Sequence, residues 1–503
     1  FGSRARGHSK GEGASSLAPA MFDRPQTLFR VQRRRALWER FGASADPSDF
    51  ARAAFRGLET DVFGNGHDEG FIAYQVQCTA LCQALVQMFD GENGVISGGR
   101  GTTFAAWRDS VLESAGGVLE ETLLRGFGGQ GAAVDGAGES ELNEVLLEEC
   151  CPVEPERAEY TAEYCRGIVA NSVLLNFGLD PVHRRRAGHS RGGLVLTGML
   201  GSTQSSVCVE KAKCLVGYLA GSMGESEAAR GDAGTGLRRV LFEKLSMDSE
   251  EFSRVISGRI GDRGPRPGGA CMRVHSGAME SPTADAFVNF ANQNFGYGKF
   301  IGSCTQEEIL QMCCPEMNVG LLLYGAMPDE SVVLVHGCRR YSRYRGYLND
   351  FQYAGPQESG EEGGEEGGYR DQILVTMDAV FSNHFSEANN LRDVRKAFLA
   401  CRGVARAAAA PGTAREAVIS SGKWGCGVFG GIVLHKFLQQ YVAARLANEE
   451  GGMGGSPGAT ESRVVLEFST FQSEGERAEV QRVLEAAEGV VDARDIYFGV
   501  LLG

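Results

Sequence analysis

Apolar positions keep one spacing in the first half of this chain and another in the second. From about residue 28 to 250 they recur at helical intervals, as in FIAYQVQCTALCQALVQMF (71–89), YTAEYCRGIVANSVLLNF (160–177) and KAKCLVGYLAGSM (211–223). After about residue 268 short β-rich runs take over: CMRVH (271–275), AFVNFA (286–291), VGLLLYG (319–325), SVVLVHG (331–337), QILVTMDAV (372–380) and RVVLEFSTF (463–471). Helical patterns lie between or after them, at EANNLRDVRKAFLACRGVARA (387–407) and GIVLHKFLQQYVAARLANEE (431–450). Alternating strands and helices predict a layered α/β domain over 251–503, behind a mainly helical domain over 28–250. Ligands of such domains bind beyond strand ends, where loops present backbone dipoles. NFGYGKF (294–300) and KWGCGVFGG (423–431) are loops of that kind.

Composition refines this picture. The chain has 503 residues, enough for two or three domains, with 43% hydrophobic and 23% charged residues, as in an ordinary globular protein. Its 70 glycines are unusual, and many sit in the inserts 126–138, 355–368 and 449–460. Those segments bury little and are expected to be flexible, as are residues 1–27, whose composition is of low complexity. A net charge of −14 argues against wrapping nucleic acid, and no sequence-specific nucleic-acid contact is expected. The basic triplets Arg33–Arg35 and Arg184–Arg186 read as solvated surface. The 14 cysteines show neither zinc spacing nor a disulfide framework, and the eight histidines show no metal spacing. No signal peptide or membrane-length apolar run is present, so a reduced intracellular compartment, nucleus or cytoplasm, is expected, with no membrane partner. The chain opens on Phe1 rather than Met, which points to a true N-terminus upstream.

Candidate chemistry concentrates in NFANQNFGYGKFIGSCTQEEILQM (289–312). Glu307 and Glu308 are adjacent acids at the start of an apolar helix, where the N-terminal dipole favours them. That is the plain reading. The glycines before them change it, because Gly296 and Gly298 allow positive φ and close backbone approach to a phosphate. A phosphate loop beside paired acids suits glycosidic chemistry, in which an acid protonates the leaving oxygen. Two other motifs are weaker. GHSRG (188–192) fits a serine-hydrolase elbow, with Ser190 as nucleophile and His275, His336 or His384 as base, but HRRRA before it is no buried strand. GFGGQG (126–131) lacks the Lys-Ser/Thr of a P-loop and reads as linker.

Residues 288–309, VNFANQNFGYGKFIGSCTQEEI, resemble the catalytic segment of the poly(ADP-ribose) glycohydrolases. The likeness continues in RRYSRYRGYLNDFQY (339–353), SGKWGCGVFGG (421–431), GAME (277–280) and DARDIY (492–497), and covers roughly residues 205–503. It implies a macrodomain-like mixed sheet flanked by helices, with a helical accessory domain in front. It implies an enzyme that hydrolyses the ribose–ribose O-glycosidic bonds of poly(ADP-ribose) carried on modified proteins, as a monomer and without a cofactor or metal. Carried over by position, Glu308 would be the general acid and then the base on the attacking water. Glu307 would hold the ribose hydroxyls, its charge helping Glu308 keep a proton, and Asn289 would complete the catalytic set. Substrate-binding positions would be Met279, Glu280, Asn292, Gln306 and Tyr347. The loop Lys423, Trp424, Gly425, Cys426, Gly427, Val428 and Phe429 would cradle the diphosphate together with Gly296, Tyr297 and Gly298. The adenine-stacking ring would be Phe468 or Phe471.

The sequence departs from the family in four places. Asn289 stands where animal members carry Asp, as bacterial-type members also have it. Lys423 replaces an Asn, and Ile432 a frequent Asp. Tyr297 replaces the middle glycine of the loop, at a cost of about 1 kcal/mol or more if φ is positive there. The alternative reading is therefore an ADP-ribose-binding pseudoenzyme whose glycine loop Tyr297 interrupts.

Overall fold

The computed structural model describes residues 27–32, 39–61, 69–89, 102–126, 142–146, 154–174, 177–179, 205–223, 238–258, 271–280, 283–295, 304–357, 372–409, 415–450, 463–490 and 492–502. In chain order the strands are β1 (Thr27–Gln32), β2 (Leu142–Leu146), β3 (Arg157–Thr161), β4 (Phe177–Leu179), β5 (Arg239–Ser246), β6 (Met272–His275), β7 (Ala286–Ala291), β8 (Ser331–Cys338), β9 (Ser342–Arg345), β10 (Gln352–Pro356), β11 (Gln372–Asp378), β12 (Glu416–Gly422) and β13 (Arg463–Ser469). The α-helices are α1 (Pro47–Asp61), α2 (Glu69–Phe89), α3 (Phe104–Gly126), α4 (Ala162–Val173), α5 (Ser205–Gly221), α6 (Ser249–Ser257), α7 (Gln306–Cys313), α8 (Gly320–Leu323), α9 (Glu387–Ala408), α10 (Val433–Glu450), α11 (Glu474–Glu488) and α12 (Ala493–Ile496).

An eight-stranded sheet in the order β3-β5-β8-β11-β7-β12-β13-β6 organises the molecule. The strands from β11 to β6 run parallel to one another, while β8, β5 and β3 are antiparallel additions at one side. Alternation along the strands divides the core between the two faces, as a period of two requires. Phe287, Ala291, Val333, Val335 and Leu374 face the helices of the N-terminal region and α7. Ala286, Val288, Val332, Leu334, Val375 and Met377 face α9, α10 and α11. The fold is thus the expected mixed sheet flanked by helices, with a helical region packed on one face.

Two local outcomes differ from the sequence pattern. VGLLLYG is no strand: a 3-10 turn over Pro315–Val319 runs into α8, and the Tyr324 N–H bonds back to the Gly320 carbonyl at 2.9 Å. A run this short carries no period, and its conformation is set by packing: a Cβ on Gly320 would lie 2.6 Å from the Phe295 ring. The sheet also takes strands from before residue 250, since β3 and β5 pair antiparallel over Arg157–Thr161 and β5 continues onto β8. The Gly-Tyr-Gly loop at 296–298 lies outside the described residues. So do GHSRG at 188–192, GFGGQG past residue 126, and most of the inserts at 358–371 and 451–462.

Candidate active site

Several of the described residues expected at the site follow the carboxyl ends of the parallel strands. β6 leads to Met279 and Glu280, β7 to Asn292, β12 to the 423–431 loop and β13 to Phe471. Helix α7 crosses this end on the N-terminal face, its packing side made by Ile309, Leu310 and Met312. The side chain of Gln306 docks it there. Its Oε1 accepts the Phe290 N–H at 2.8 Å and its Nε2 donates to the Val288 carbonyl at 2.9 Å. Both heteroatoms of the amide are engaged with β7, so Gln306 sets the register between strand and helix.

That register brings both acids inward. Glu307 is 5% and Glu308 1% exposed. One oxygen of Glu307 accepts the Asn292 N–H at 3.0 Å, and Asn292 Oδ1 in turn accepts the Asn294 N–H at 3.0 Å. Glu308 closes a capping box with Thr305: its Oε2 accepts the Thr305 N–H at 2.6 Å and the Thr305 hydroxyl. Its Oε1 is buried with no hydrogen-bond partner among the described residues. Leaving such an atom unsatisfied costs about 1–3 kcal/mol, which a purely structural cap has no reason to bear. Asn289 shows the same feature from β7. Its Nδ2 reaches Thr376 Oγ1 at 3.4 Å, and its Oδ1 is buried without a partner among the described residues.

Tyr347 stands over the start of α7, brought there by paired backbone bonds between Cys304 and Leu348 at 2.8 and 3.3 Å. Its ring is 45% exposed. Burial of the hydroxyl pushes its pKa up, and the Glu308 charge adds to the rise. Burial likewise raises the neighbouring Cys304 thiol, again with a contribution from Glu308. On the far side Glu280 Oε1 accepts Arg340 Nη2 at 3.0 Å and the Tyr344 hydroxyl at 2.7 Å.

The 423–431 loop is a closed turn, with the Gly431 N–H bonded to the Gly425 carbonyl at 2.9 Å. Trp424 is its root rather than its lining: it is buried, and its Nε1 donates to the Met377 carbonyl at 3.1 Å. Lys423 lies 3.1 Å from Glu476 and is paired with that carboxylate. Burial pushes the Cys426 thiol up to about 12, so it stays protonated at neutral pH. Val428 is exposed at the tip, and His384 Nε2 lies 2.9 Å from the Phe429 carbonyl. The two candidate stacking rings separate cleanly. Phe468 is fully buried edge-on against Phe437, whereas Phe471 is 50% exposed, beside the 275–277 segment that leads to Glu280.

Sequence reading missed Thr305, Thr376, Arg340 and Tyr344, which hold the expected residues, and placed His384 only as a hydrolase base. Thr305 was legible, since Thr-x-x-Glu before an apolar run is a capping box. The others depend on pairing across the sheet and on loops far apart in the chain. Among the described residues, no three acidic, His or Cys side chains converge as metal ligands, the cysteines are free thiols, and no helix is long and apolar enough to cross a membrane.

A mixed sheet of this order, with loops and paired buried acids at its carboxyl end, defines an α/β protein of the macrodomain kind. Residues 270–451 match the family model "Poly (ADP-ribose) glycohydrolase (PARG), Macro domain fold". Poly(ADP-ribose) glycohydrolase 2 of Caenorhabditis elegans is 32% identical over 178 residues, 32% of this chain and 35% of that protein. Poly(ADP-ribose) glycohydrolase 1 of Arabidopsis thaliana is 34% identical over 137 residues, 26% of this chain and 25% of that protein. The chain thus spans 25% to 40% of the length of the curated glycohydrolases it matches. The crystal structure of poly(ADP-ribose) glycohydrolase from Thermomonospora curvata aligns at 16% identity and a TM-score of 0.29, covering 52% of this chain and 88% of that one.

Proposed function

We propose that the chain hydrolyses the ribose–ribose O-glycosidic bond of poly(ADP-ribose), with Glu308 as general acid and base. The observation that carries this reading is the Glu308 carboxylate itself. One oxygen is fixed by Thr305, and the other is buried at the mouth of the strands with no partner among the described residues. Protonated Glu308 gives its proton to the 2′-oxygen as the bond to the anomeric carbon breaks. The carboxylate left behind stabilises the positive centre, then takes a proton from the attacking water as its oxygen bonds to the anomeric carbon. The sugar gains a hydroxyl on each side of the cut, and Glu308 ends protonated as it began.

Other residues take their roles from where they sit. Glu307, held by the Asn292 amide, faces the ribose hydroxyls; Asn289 offers its Oδ1, unpartnered among the described residues, from β7. Gln306 serves by docking α7. The glycine-rich 423–431 loop and residues 296–298 receive the diphosphate, Glu280 and Met279 lie toward the base, and Phe471, the exposed ring, stacks on it. Purified protein incubated with poly(ADP-ribose) should release ADP-ribose, and Glu308→Gln should not. No release from wild type, restored by Tyr297→Gly, would overturn hydrolysis in favour of a binding module with a closed phosphate loop.

A further inference from the structure

Beneath the 423–431 loop lies a buried ionic cluster that the proposed chemistry does not use. Arg392 pairs with Asp378, with Asp393 at 2.8 Å and with Asp329 at 2.7 Å. Lys396 pairs with Asp378 at 2.7 Å, and Lys436 pairs with Asp393. Three carboxylates thus balance three cations, and Asp378, Asp393, Lys396 and Lys436 are each 1% exposed or less. Clusters of this depth are poor sources of stability, because desolvation offsets much of the attraction. Where this one touches the rest of the molecule is more informative.

Lys436 is the member that reaches the loop. A Cβ on Gly425 would lie 3.2 Å from Lys436 Cε, and one on Gly431 would lie 3.1 Å from the same atom. These are the two glycines whose backbones bond to each other at the waist of the loop. Gly425 also has φ of +73°, and its Cβ would meet the Ala379 methyl at 2.6 Å, so no side chain can replace the lysine stem from above. The ammonium is held by Asp393 and by Gln439 Oε1 at 3.1 Å, and sits 5.0 Å over the Trp424 ring at the root of the loop. Asp393 in turn accepts the Val380 N–H at 3.3 Å, just past the end of β11. One side chain therefore ties the waist of the loop to the end of β11, which β7 separates from β12 in the sheet.

We propose that Lys436 is a positioning residue for the ligand loop: Asp393 anchors its ammonium so that its Cε forms the floor under Gly425 and Gly431. This rests on the reading of that loop as the diphosphate site. The charge is the anchor and the stem is the working part. Two charge-balanced double variants separate them. Lys436→Met with Asp393→Asn keeps an atom at the Cε position; Lys436→Leu with Asp393→Asn removes it. Neither leaves a lone buried charge, so both are expected to fold. Titration with ADP-ribose should show the Leu variant weakened about fivefold or more, roughly 1 kcal/mol, and the Met variant recovering to within about twofold of wild type. The kcat on polymer should change far less than KM. Equal weakening of both variants would overturn the proposal, because the charge and not the stem would then matter. Hydrogen exchange at the Gly425–Gly431 amides tests the same point without a ligand: it should be faster in the Leu variant alone, and equal rates would sink the idea. Wild type that binds no ADP-ribose would instead count against the functional reading, while the exchange comparison still decides the positioning claim.

Discussion

Glu308 was visible in the sequence as an acid at a helix start, and that is also where the structure leaves it, as the second half of a capping box with Thr305. What sequence could not supply was the state of its second oxygen, which depends on burial by β7 and the segment carrying Tyr347. Phe468 and Phe471 make the same point: aromatic positions three apart at the end of one strand are indistinguishable until one is packed on Phe437 and the other is left in solvent. At this scale the clearest pH signal comes from His435, whose pKa is pushed down to about 4 by burial, with the Lys436 charge adding. Its folded value lies below the unfolded value of about 6.5, so the unfolded chain binds the proton more readily. The contribution of His435 to stability is present above about pH 6.5 and is lost as the pH falls toward 4. The thermal midpoint should fall across that window, and less steeply in His435→Gln. Parallel slopes would show that His435 is not involved.

Elements were legible where their period was long or their alternation complete. AFVNFA reads as a strand buried on both faces, and β7 occupies Ala286–Ala291 at the centre of the sheet. VGLLLYG failed because four apolar residues after Pro315 fit a strand or a turn of helix equally well, and Phe295 packing on Gly320 decided the matter. Helix α7 carries the element-scale prediction. Thr305→Ala removes the cap and should cost about 1 kcal/mol of stability. It also takes the hydroxyl bond from Glu308 Oε2 and leaves only the backbone N–H to hold it, so kcat should drop by about tenfold or more through misplacement of the acid, with KM little changed. Thr305→Ser should restore both, because the hydroxyl is what Glu308 holds. A Thr305→Ala enzyme with normal kcat would mean that the capping contact is absent in the working state.

At the scale of the whole molecule, the sequence texture suggested a helical domain followed by a separate α/β domain. The structure joins them more closely. β5 pairs with β8 at six positions from Leu241↔His336 to Ser246↔Ser331, and a continuous core runs from Trp107 and Tyr218 to Ile309 and Met312. Strand pairing across long sequence separation leaves no local signature, and RAEYT at β3 is too short to stand out from helical surroundings. A fragment of residues 251–503 would bare the β8 edge, with Val332 to Val335 behind it. It should aggregate or melt without cooperativity, while the full chain gives a single cooperative transition. A fragment melting cooperatively within about 5 °C of the full chain would contradict this.

In the proposed reaction a proton held by Glu308 breaks the glycosidic bond. The most direct measurement compares wild type with Glu308→Gln for both cleavage of poly(ADP-ribose) and affinity for ADP-ribose. Glutamine satisfies the same capping box as glutamate, so the substitution removes the proton donor and leaves the helix start intact. Cleavage should fall by about 10²–10⁴-fold or more while ADP-ribose affinity stays within about threefold. Cleavage that survives Glu308→Gln, or affinity lost in step with it, would rule out Glu308 as the proton donor.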